Sequence, residues 1–288
     1  MDTLFAILLI LPSFILIAFA IFIPVVESIY MSFLDYKLQA GAQHTWNHFQ
    51  NYKELFTEKE IWSSLRITLV YVSAVVILLM ILGLALAMIL NKNIKGRNVI
   101  RGVILLPWAM PVVISALLWM WIFQPQYGVL NYILQRLNII KGPIAWVTSV
   151  NFALPSIIIT SLWRQLPFIV VMLLAGLQSI PRDMYEAAAI DGANKVQMFF
   201  NITLPFLRNV IKSTVLISII DNFKQFPLFW IMTGGGPMGK TTNLAILTYK
   251  NAFVNLNFGK GAAVSTIWLV LLMVFSVIYN KVFTTNED

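Results

Sequence analysis

The chain has 288 residues, of which 59% are apolar and only 11% are charged, more hydrocarbon surface than a soluble protein of this length can bury. Its formal net charge of +8 does not indicate nucleic-acid binding, because no basic cluster with interleaved aromatic residues accompanies it. The apolar composition therefore indicates a membrane protein. The absence of cysteine excludes disulfides and thiolate metal sites.

The first apolar run predicts a membrane span at about residues 4–26. The run is uncharged and long enough to cross a bilayer as a helix that rises about 1.5 Å per residue. Asp2 precedes the run and Pro24 lies near its end, whereas a secretory signal has a basic leader and a small-residue cleavage site. We therefore expect an uncleaved first span.

A polar and aromatic stretch, residues 27–66, follows the first span. His44 and His48 lie four residues apart, a spacing that suits zinc binding on a helix. Thr45, however, stands where the metalloprotease motif has a glutamate, and no third ligand is nearby. The stretch therefore predicts a solvated loop and no metal site.

The next two spans are predicted at about residues 67–90 and 102–123. The short connection between them is basic, with Lys92, Lys95, Arg97 and Arg101. The third span contains Pro107 and Pro111, which predict kinks that neighbouring helices can accommodate. Three tryptophans near the ends of this span are expected in the interfacial belts: Trp108, Trp119 and Trp121.

Three further spans are predicted at about residues 152–175, 209–232 and 262–280, with a short tail after the last. The fold class is thus an all-α polytopic membrane protein with six transmembrane helices, which places both termini on one side. Lysine and arginine are denser in the short connections of that side, which favours the cytoplasm for both termini.

Two spans carry polar faces, in which side chains recur at i, i+3, i+4 and i+7. The eight residues are Ser161, Arg164, Gln165 and Phe168 in the fourth span, and Ser218, Asp221, Asn222 and Gln225 in the fifth. A polar face in hydrocarbon lines a wet cavity or meets a partner helix. The two faces could enclose a sugar, with the ring of Phe168 or Phe226 stacked against it. Alternatively, Arg164 and Asp221 form a structural ion pair, or Lys224 pairs with Asp221 at i, i+3.

The polar segment 181–205, between the fourth and fifth spans, has the pattern of a helix–turn–helix outside the bilayer. Pro181 suits a first helical turn, and Gly192 suits a left-handed cap that ends the helix. Asn194 and Gln197 fit a capping box for a second helix, which Pro205 is expected to end. The alanines at 187–189 leave a small-residue face that a groove on another protein could hold.

The same segment contains E-A-A-x-x-D-G-A, then eight residues and I-x-L-P, from Glu186 to Pro205. This pattern resembles the EAA loop of the membrane subunits of binding-protein-dependent ABC importers. The resemblance implies the type I ABC importer permease fold and makes residues 181–205 a cytoplasmic loop that couples the chain to an ATPase. The coupling positions that it implies are Glu186, Ala187, Ala188, Asp191, Gly192 and Ala193.

The resemblance also implies partners: a second permease subunit, two ATPase subunits that bind ATP and Mg, and an extracytoplasmic solute-binding protein. The chain itself would hold no cofactor and no catalytic residue, since its spans contain no histidine, cysteine or paired carboxylates. It would be a multi-pass protein in the lipid of a bacterial or archaeal cell (inner) membrane. The alternative function is an ion-coupled secondary transporter with Asp221 as its ion site.

Residues 234–241 fit G-x-x-x-x-G-K-[ST], the pattern of a phosphate-binding loop. That chemistry needs a strand before the loop and a helix after it, whereas here a membrane span precedes it, so we expect a flexible outer turn. The run T-G-G-G-P at 233–237 resembles the corresponding segment in the carbohydrate branch of the importer family. This second resemblance implies a sugar or oligosaccharide substrate, a second permease subunit that is a different chain, and sugar contacts on the two polar faces.

Overall fold

The computed structural model describes residues 2–38, 44–92 and 95–284, so the last four residues of the predicted tail lie outside the described part. Within these residues the chain is mostly helical, as predicted, and its one sheet is an antiparallel pair of two-residue strands. The chain divides into two compact units, one formed by Met1–Leu65 with Leu244–Phe275 and the other by Arg66–Asn243 with Ser276–Asp288.

Five helical segments in the described residues are long and apolar enough to cross a membrane: Leu9–Met31, Lys59–Asn91, Ala153–Gln178, Lys195–Phe223 and Phe258–Val282. A further pair of helices, Val99–Ala109 and Val112–Ile122, passes the same test together but is bent by 96°. The described residues therefore contain five spans, or six when the bent pair is counted as one. This number of spans agrees with a polytopic helical membrane protein.

The third predicted span, 102–123, needs correction, because it consists of two helical segments, Val99–Ala109 and Val112–Ile122, rather than one kinked helix. The break lies at Met110, which has an extended backbone with ψ 137°. Pro111 follows it and is the N-cap of the next helix. A proline disfavours the helical conformation of the residue before it, which accounts for the position of the break.

The fifth predicted span, 209–232, also needs correction at both ends. The helix begins at Lys195 and continues through Pro205, which the sequence pattern predicts to end it. A π-helical turn, Phe199–Thr203, precedes that proline and contains Asn201, the residue whose carbonyl a proline ring would meet in a regular α-helix. The helix then ends at Phe223, and a separate short helix begins at Pro227.

The first unit contains the N-terminal helices and part of the C-terminal ones. Its elements are α1 (Asp2–Ile17), a π-helical turn (Ala18–Phe22), α2 (Ile23–Met31), β1 (Leu34–Asp35), β2 (Thr45–Trp46), α3 (Gln50–Thr57), the start of α4 (Lys59–Asn91), α14 (Leu244–Tyr249), a π-helical turn (Lys250–Val254) and most of α15 (Phe258–Thr284). The strands pair Leu34 with Trp46. The buried side chain of Asn51 donates to the carbonyls of Ser32 and Leu34 at 2.8 and 2.9 Å, which holds α3 against the turn before β1.

The second unit contains the two predicted polar faces and the segment between them. Its elements are the rest of α4, α5 (Arg97–Ile104), α6 (Leu106–Ala109), α7 (Val112–Ile122), α8 (Val129–Arg136), α9 (Ala153–Gln178), α10 (Arg182–Ile190), α11 (Lys195–Met198), the π-helical turn Phe199–Thr203, α12 (Leu204–Phe223), α13 (Pro227–Thr233) and the end of α15. Helices α9 and α12 approach closely at Gly176, where an added Cβ would lie 2.7 Å from Leu207.

The connection between α7 and α9 is folded around one buried asparagine, Asn131 of α8. Its amide group donates to the carbonyls of Pro125 and Ile144, and its oxygen accepts from the indole of Trp146 at 2.8 Å and from the Ile144 backbone. These bonds satisfy the whole side chain and close the segment on itself.

Candidate functional site

A cavity of about 510 Å³ lies between α9 and α12 in the second unit, where the sequence predicts the sugar contacts. Six of the eight predicted residues line it: Arg164, Gln165, Phe168, Ser218, Asp221 and Gln225. Trp108 and Lys224 also line it, together with three apolar residues, Ile169, Ile217 and Pro227. The two polar faces thus meet at one cavity within helices long enough to span a membrane.

One wall of the cavity is a pair of stacked aromatic rings. The rings of Trp108 and Phe168 lie 5.4 Å apart between centroids with an interplanar angle of 20°. Trp108 belongs to α6, the last helix before the 96° bend, and it lines the cavity, a position that the sequence analysis did not predict. Phe226, the other ring considered for stacking, lies against Trp230 and is not among the described residues that line this cavity.

The opposite side of the cavity carries charged groups. Asp221 and Lys224 form an ion pair at 2.9 Å, and both side chains are more than half exposed. This is the i, i+3 pairing considered for Lys224, and the described residues show no ion pair between Asp221 and Arg164. The Nε atom of Arg164 is buried and has no hydrogen-bond partner among the described residues. Arg164 also lines the cavity, and an unpaired buried donor such as its Nε costs free energy.

Ser161 and Asn222 are the two predicted contacts that do not line this cavity. Both are buried, and both hydrogen bond to the hydroxyl of Tyr71 from α4, at 2.7 Å from Ser161 Oγ and 3.0 Å from Asn222 Oδ1. The Asn222 amide also pairs with the amide of Gln165, with bonds of 2.8 and 3.0 Å. A buried hydrogen-bond network therefore lies directly beneath one wall of the cavity.

Gln225 reaches the cavity from the break after α12 rather than from the helix itself. Its backbone carbonyl accepts a hydrogen bond of 2.7 Å from the Asn243 side chain, at the end of the glycine-rich turn. In that turn the buried Thr241 hydroxyl bonds to the Gly236 carbonyl and Thr233 hydroxyl, and Thr242 bonds to the Gly235 carbonyl. The turn follows helix α13 and is held by these internal hydrogen bonds.

The predicted coupling segment has the local structure that its sequence indicates. Gly192 has φ +80°, and its N–H donates to Ala189 while that of Ala193 donates to Ala188, the two bonds of a Schellman cap. Asn194 and Gln197 form a complete capping box at the start of α11. Helix α10 and the helix that begins with α11 are therefore joined by a turn that local hydrogen bonds define.

The coupling segment is exposed and carries apolar side chains. The predicted positions Glu186, Ala187, Asp191 and Gly192 are exposed, and Ala188 and Ala193 are partly so. Ile190, at the end of α10, is 86% exposed, and Val196 is 65% exposed. These two exposed apolar side chains lie on the segment that the sequence predicts to dock on another protein.

The sequence analysis missed three residues of these two sites. Trp108 lies between two prolines that signal a break, but the direction of its ring depends on the bend. Tyr71 is a hydroxyl-bearing residue in an apolar span, and a buried tyrosine hydroxyl usually needs a partner. Ile190 interrupts a polar pattern and marks the exposed apolar patch.

A bundle of membrane-spanning helices with a polar, aromatic-walled cavity and an exposed helical loop defines the class of membrane permeases. The chain belongs to the family described as binding-protein-dependent transport system inner membrane component, whose family model matches residues 79–284. The family assignment agrees with the resemblance of the 186–205 pattern and with a multi-pass membrane protein.

Two relatives align with nearly the whole chain. The "Trehalose/maltose transport system permease protein MalF" of Thermococcus litoralis is 37% identical over 282 residues, 98% of this chain and 94% of the relative. The "Sulfoquinovosyl glycerol transport system permease protein SmoG" of Agrobacterium fabrum is 35% identical over 290 aligned positions, 99% of this chain and 92% of the relative.

The fold is similar to that of a solved importer. The crystal structure of a bacterial ABC transporter involved in the import of the acidic polysaccharide alginate matches with a TM-score of 0.85 and 21% identity, and the match covers 99% of this chain and 96% of the other. At this identity the match shows the fold, which is that of the type I importer permeases.

Proposed function

We propose that the chain is the membrane-spanning permease subunit of an ATP-driven importer, which translocates a sugar or oligosaccharide that an extracytoplasmic binding protein delivers. The observation that carries this proposal is the cavity between α9 and α12. Its lining combines an aromatic wall with polar side chains, the two features that sugar recognition needs. The family membership and the sugar-related names of both relatives support it.

The chemistry of the cavity suits a polyhydroxylated ring. The stacked rings of Trp108 and Phe168 offer a flat apolar surface for the C–H face of a sugar. Gln165, Gln225 and the Arg164 guanidinium supply amide and N–H groups for its hydroxyls. The volume of about 510 Å³ lies within the range of small-molecule sites.

The exposed segment 181–205 supplies the mechanical connection in this proposal. Glu186, Ala187 and Ala188 on α10, with Asp191, Gly192 and Ala193 in the cap, form the surface that docks on an ATPase subunit. The helix that begins at Lys195 runs without interruption to Phe223, beside the cavity. A displacement of the docked segment is therefore transmitted along one helix to the substrate site. Nucleotide binding to the ATPase subunits would in this way shift the population of cavity conformations.

The assembly consists of this chain, a second permease subunit, two ATPase subunits and a binding protein. We place the coupling segment and both termini in the cytoplasm of a bacterial or archaeal cell, with the outer turn at 233–243 on the opposite side. ATP and Mg bind to the ATPase subunits, and this chain contributes no catalytic group. A binding-protein partner is supported by a structure similar in fold, the alginate ABC transporter in complex with a periplasmic protein bound to an alginate pentasaccharide.

An ion-coupled secondary transporter is not favoured. That function would use Asp221 as its ion site, but the Asp221 carboxylate is neutralised by Lys224 at 2.9 Å. Because both side chains are more than half exposed, this ion pair is weak, and the family membership is the stronger argument against ion coupling.

The test is uptake by the complete complex in proteoliposomes. The chain is reconstituted with its permease, ATPase and binding-protein partners, and uptake of maltose, trehalose, sulfoquinovosyl glycerol and diacetylchitobiose is measured with and without internal ATP. Uptake of at least one sugar that requires both ATP and the binding protein is expected. Uptake driven by an ion gradient without ATP, or ATP-dependent uptake of none of these sugars, overturns the proposal.

A further inference from the structure

The Tyr71 hydroxyl connects three spans beneath the sugar cavity. Tyr71 is fully buried on α4, its ring packs edge-to-face on Phe229 at 4.7 Å, and its hydroxyl bonds to Ser161 on α9 and Asn222 on α12. Because Tyr71 donates its proton to Asn222 Oδ1, it accepts the proton of the Ser161 hydroxyl. The direction of this hydrogen-bond chain is therefore fixed from Ser161 through Tyr71 to Asn222.

Every hydrogen-bonding position of the Asn222 amide is occupied. Its oxygen accepts from Tyr71 and from Gln165 Nε2, and its nitrogen donates to Gln165 Oε1 and to the Ser218 carbonyl at 2.9 Å. A reversed amide would turn its oxygen toward the Ser218 carbonyl, so the Tyr71 hydroxyl and that carbonyl together select one orientation. The Asn222 amide in turn holds the Gln165 amide by two bonds.

Gln165 is the one member of the amide pair that lines the cavity. After its two bonds to Asn222, its amide retains one N–H and one oxygen lone pair. Both are presented in an orientation that the buried network determines. This pre-orientation matters for specificity, because a site that holds its polar groups in place rejects sugars with hydroxyls in other positions.

We infer that Tyr71 is a positioning residue for sugar specificity, which acts through Asn222 on the Gln165 amide. The inference rests on the proposed function, since it assigns a role at the same cavity. Tyr71 itself does not touch the substrate. Its loss would leave only the Ser218 carbonyl to select the orientation of the amide pair, which loosens that orientation, weakens recognition of the preferred sugar and leaves the translocation machinery intact.

The first test is Tyr71→Phe, which removes the hydroxyl and keeps the ring on Phe229. In the reconstituted complex, with the sugar of the four-member panel that the wild type takes up best, KM is expected to rise about fivefold with kcat changed less than twofold. The preference over the second-best sugar falls by a similar factor. The matched control is Tyr279→Phe, whose hydroxyl donates to the Lys212 backbone at 3.0 Å and which should leave KM unchanged.

The second test asks whether the effect passes through Gln165. In a double-mutant cycle, Tyr71→Phe should raise KM in the wild-type background but have no further effect in Gln165→Ala. The same cycle, measured as the thermal unfolding temperature of the purified complex, should also show non-additive effects of the two substitutions. This measurement needs no sugar.

The outcomes separate the inference from the function on which it rests. An unchanged KM in Tyr71→Phe, or additive effects of the two substitutions, overturns the positioning role while sugar uptake by the wild type upholds the permease function. If the wild type takes up none of the sugars, the proposed function fails, and the thermal cycle alone then decides the linkage. Coupling in that cycle supports the linkage, and additivity overturns it.

Discussion

The hydroxyl of Tyr185 lies 2.9 Å from the hydroxyl of Thr203, and this contact connects α10 to the long helix that ends beside the cavity. Thr203 is buried, and its own hydroxyl proton points to the Met198 carbonyl at 3.4 Å, so Tyr185 is the donor of the pair. Thr203 also ends the π-helical turn Phe199–Thr203. The coupling helix is therefore attached to the segment where the long helix departs from regular α geometry, and a motion of α10 acts on that point.

We expect Tyr185→Phe to weaken coupling without preventing assembly. The substitution removes one neutral hydrogen bond, worth about 0.5–1.5 kcal/mol, and leaves the ring in place. The ATPase subunits should copurify normally, while the number of ATP molecules hydrolysed per sugar transported rises about threefold. Parallel measurement of ATP hydrolysis and uptake in proteoliposomes gives this ratio.

Thr203→Val should raise the number of ATP molecules hydrolysed per sugar transported as much as Tyr185→Phe does. The double variant should show no larger increase than either single variant. The control is Tyr132→Phe on α8, because Tyr132 is exposed and lies outside the coupling segment. An unchanged ratio in both single variants would show that the hydrogen bond has no part in coupling.

Ile190→Ser should weaken the docking of the ATPase. Ile190 is 86% exposed in the isolated chain, and burial of such a side chain in an interface is worth about 1.5–3 kcal/mol. The dissociation constant for the ATPase subunits should therefore rise at least tenfold, which titration of the detergent-purified permease would measure. Met238→Ser is the matched control, since Met238 is 89% exposed but lies in the glycine-rich turn. Equal affinities for the two variants would exclude α10 from the interface.

Gly192→Ala isolates the role of the cap. An added Cβ at Gly192 would meet nothing within 4 Å, so the cost comes from the backbone alone, which has φ +80°. A left-handed conformation costs a residue with a Cβ about 1–2 kcal/mol. Amide hydrogen exchange at residues 192 and 193 should accelerate about 5- to 30-fold.

Gly102→Ala provides the comparison for that substitution. An added Cβ there also meets nothing within 4 Å, but Gly102 lies inside helix α5 and has no positive φ. Alanine is the better helix former, so this variant should be neutral or stabilised. Exchange at the 192–193 amides that is equally slow in both variants would contradict the capping argument.

The parts of the fold that the sequence predicts well are set by neighbours in the chain. The cap at Gly192 and the capping box of Asn194 and Gln197 depend on residues three to five positions apart, and both have the predicted geometry. The eight-residue polar pattern likewise depends on helical periodicity, and six of its members reach one cavity. Periodicity predicts which side chains share one face of a helix. It does not predict which polar groups on that face hydrogen bond to other helices instead of lining the cavity.

The parts that the sequence does not predict depend on distant contacts. Tyr71 bonds to residues 90 and 151 positions away, so no local pattern reveals that Ser161 and Asn222 are used beneath the cavity wall. Pro205 is a helix breaker by propensity, but the π-helical turn before it permits continuation. The break after Phe223, by contrast, lies at a polar stretch before Pro227, a local signal that the prediction of one span over 209–232 did not use.

Two tryptophans of the bent pair give a direct test of the cavity, since the sequence assigns both to interfacial belts. Trp108 stacks on Phe168 and lines the cavity, whereas Trp121 is 63% exposed and is not among its lining residues. An aromatic contact is worth about 0.5–1.5 kcal/mol beyond its buried area. Trp108→Leu should therefore raise the KM for sugar about 3- to 10-fold, and Trp121→Leu should leave it unchanged. Uptake by proteoliposomes over a range of sugar concentrations distinguishes them, and the reverse order of effects would place the substrate elsewhere.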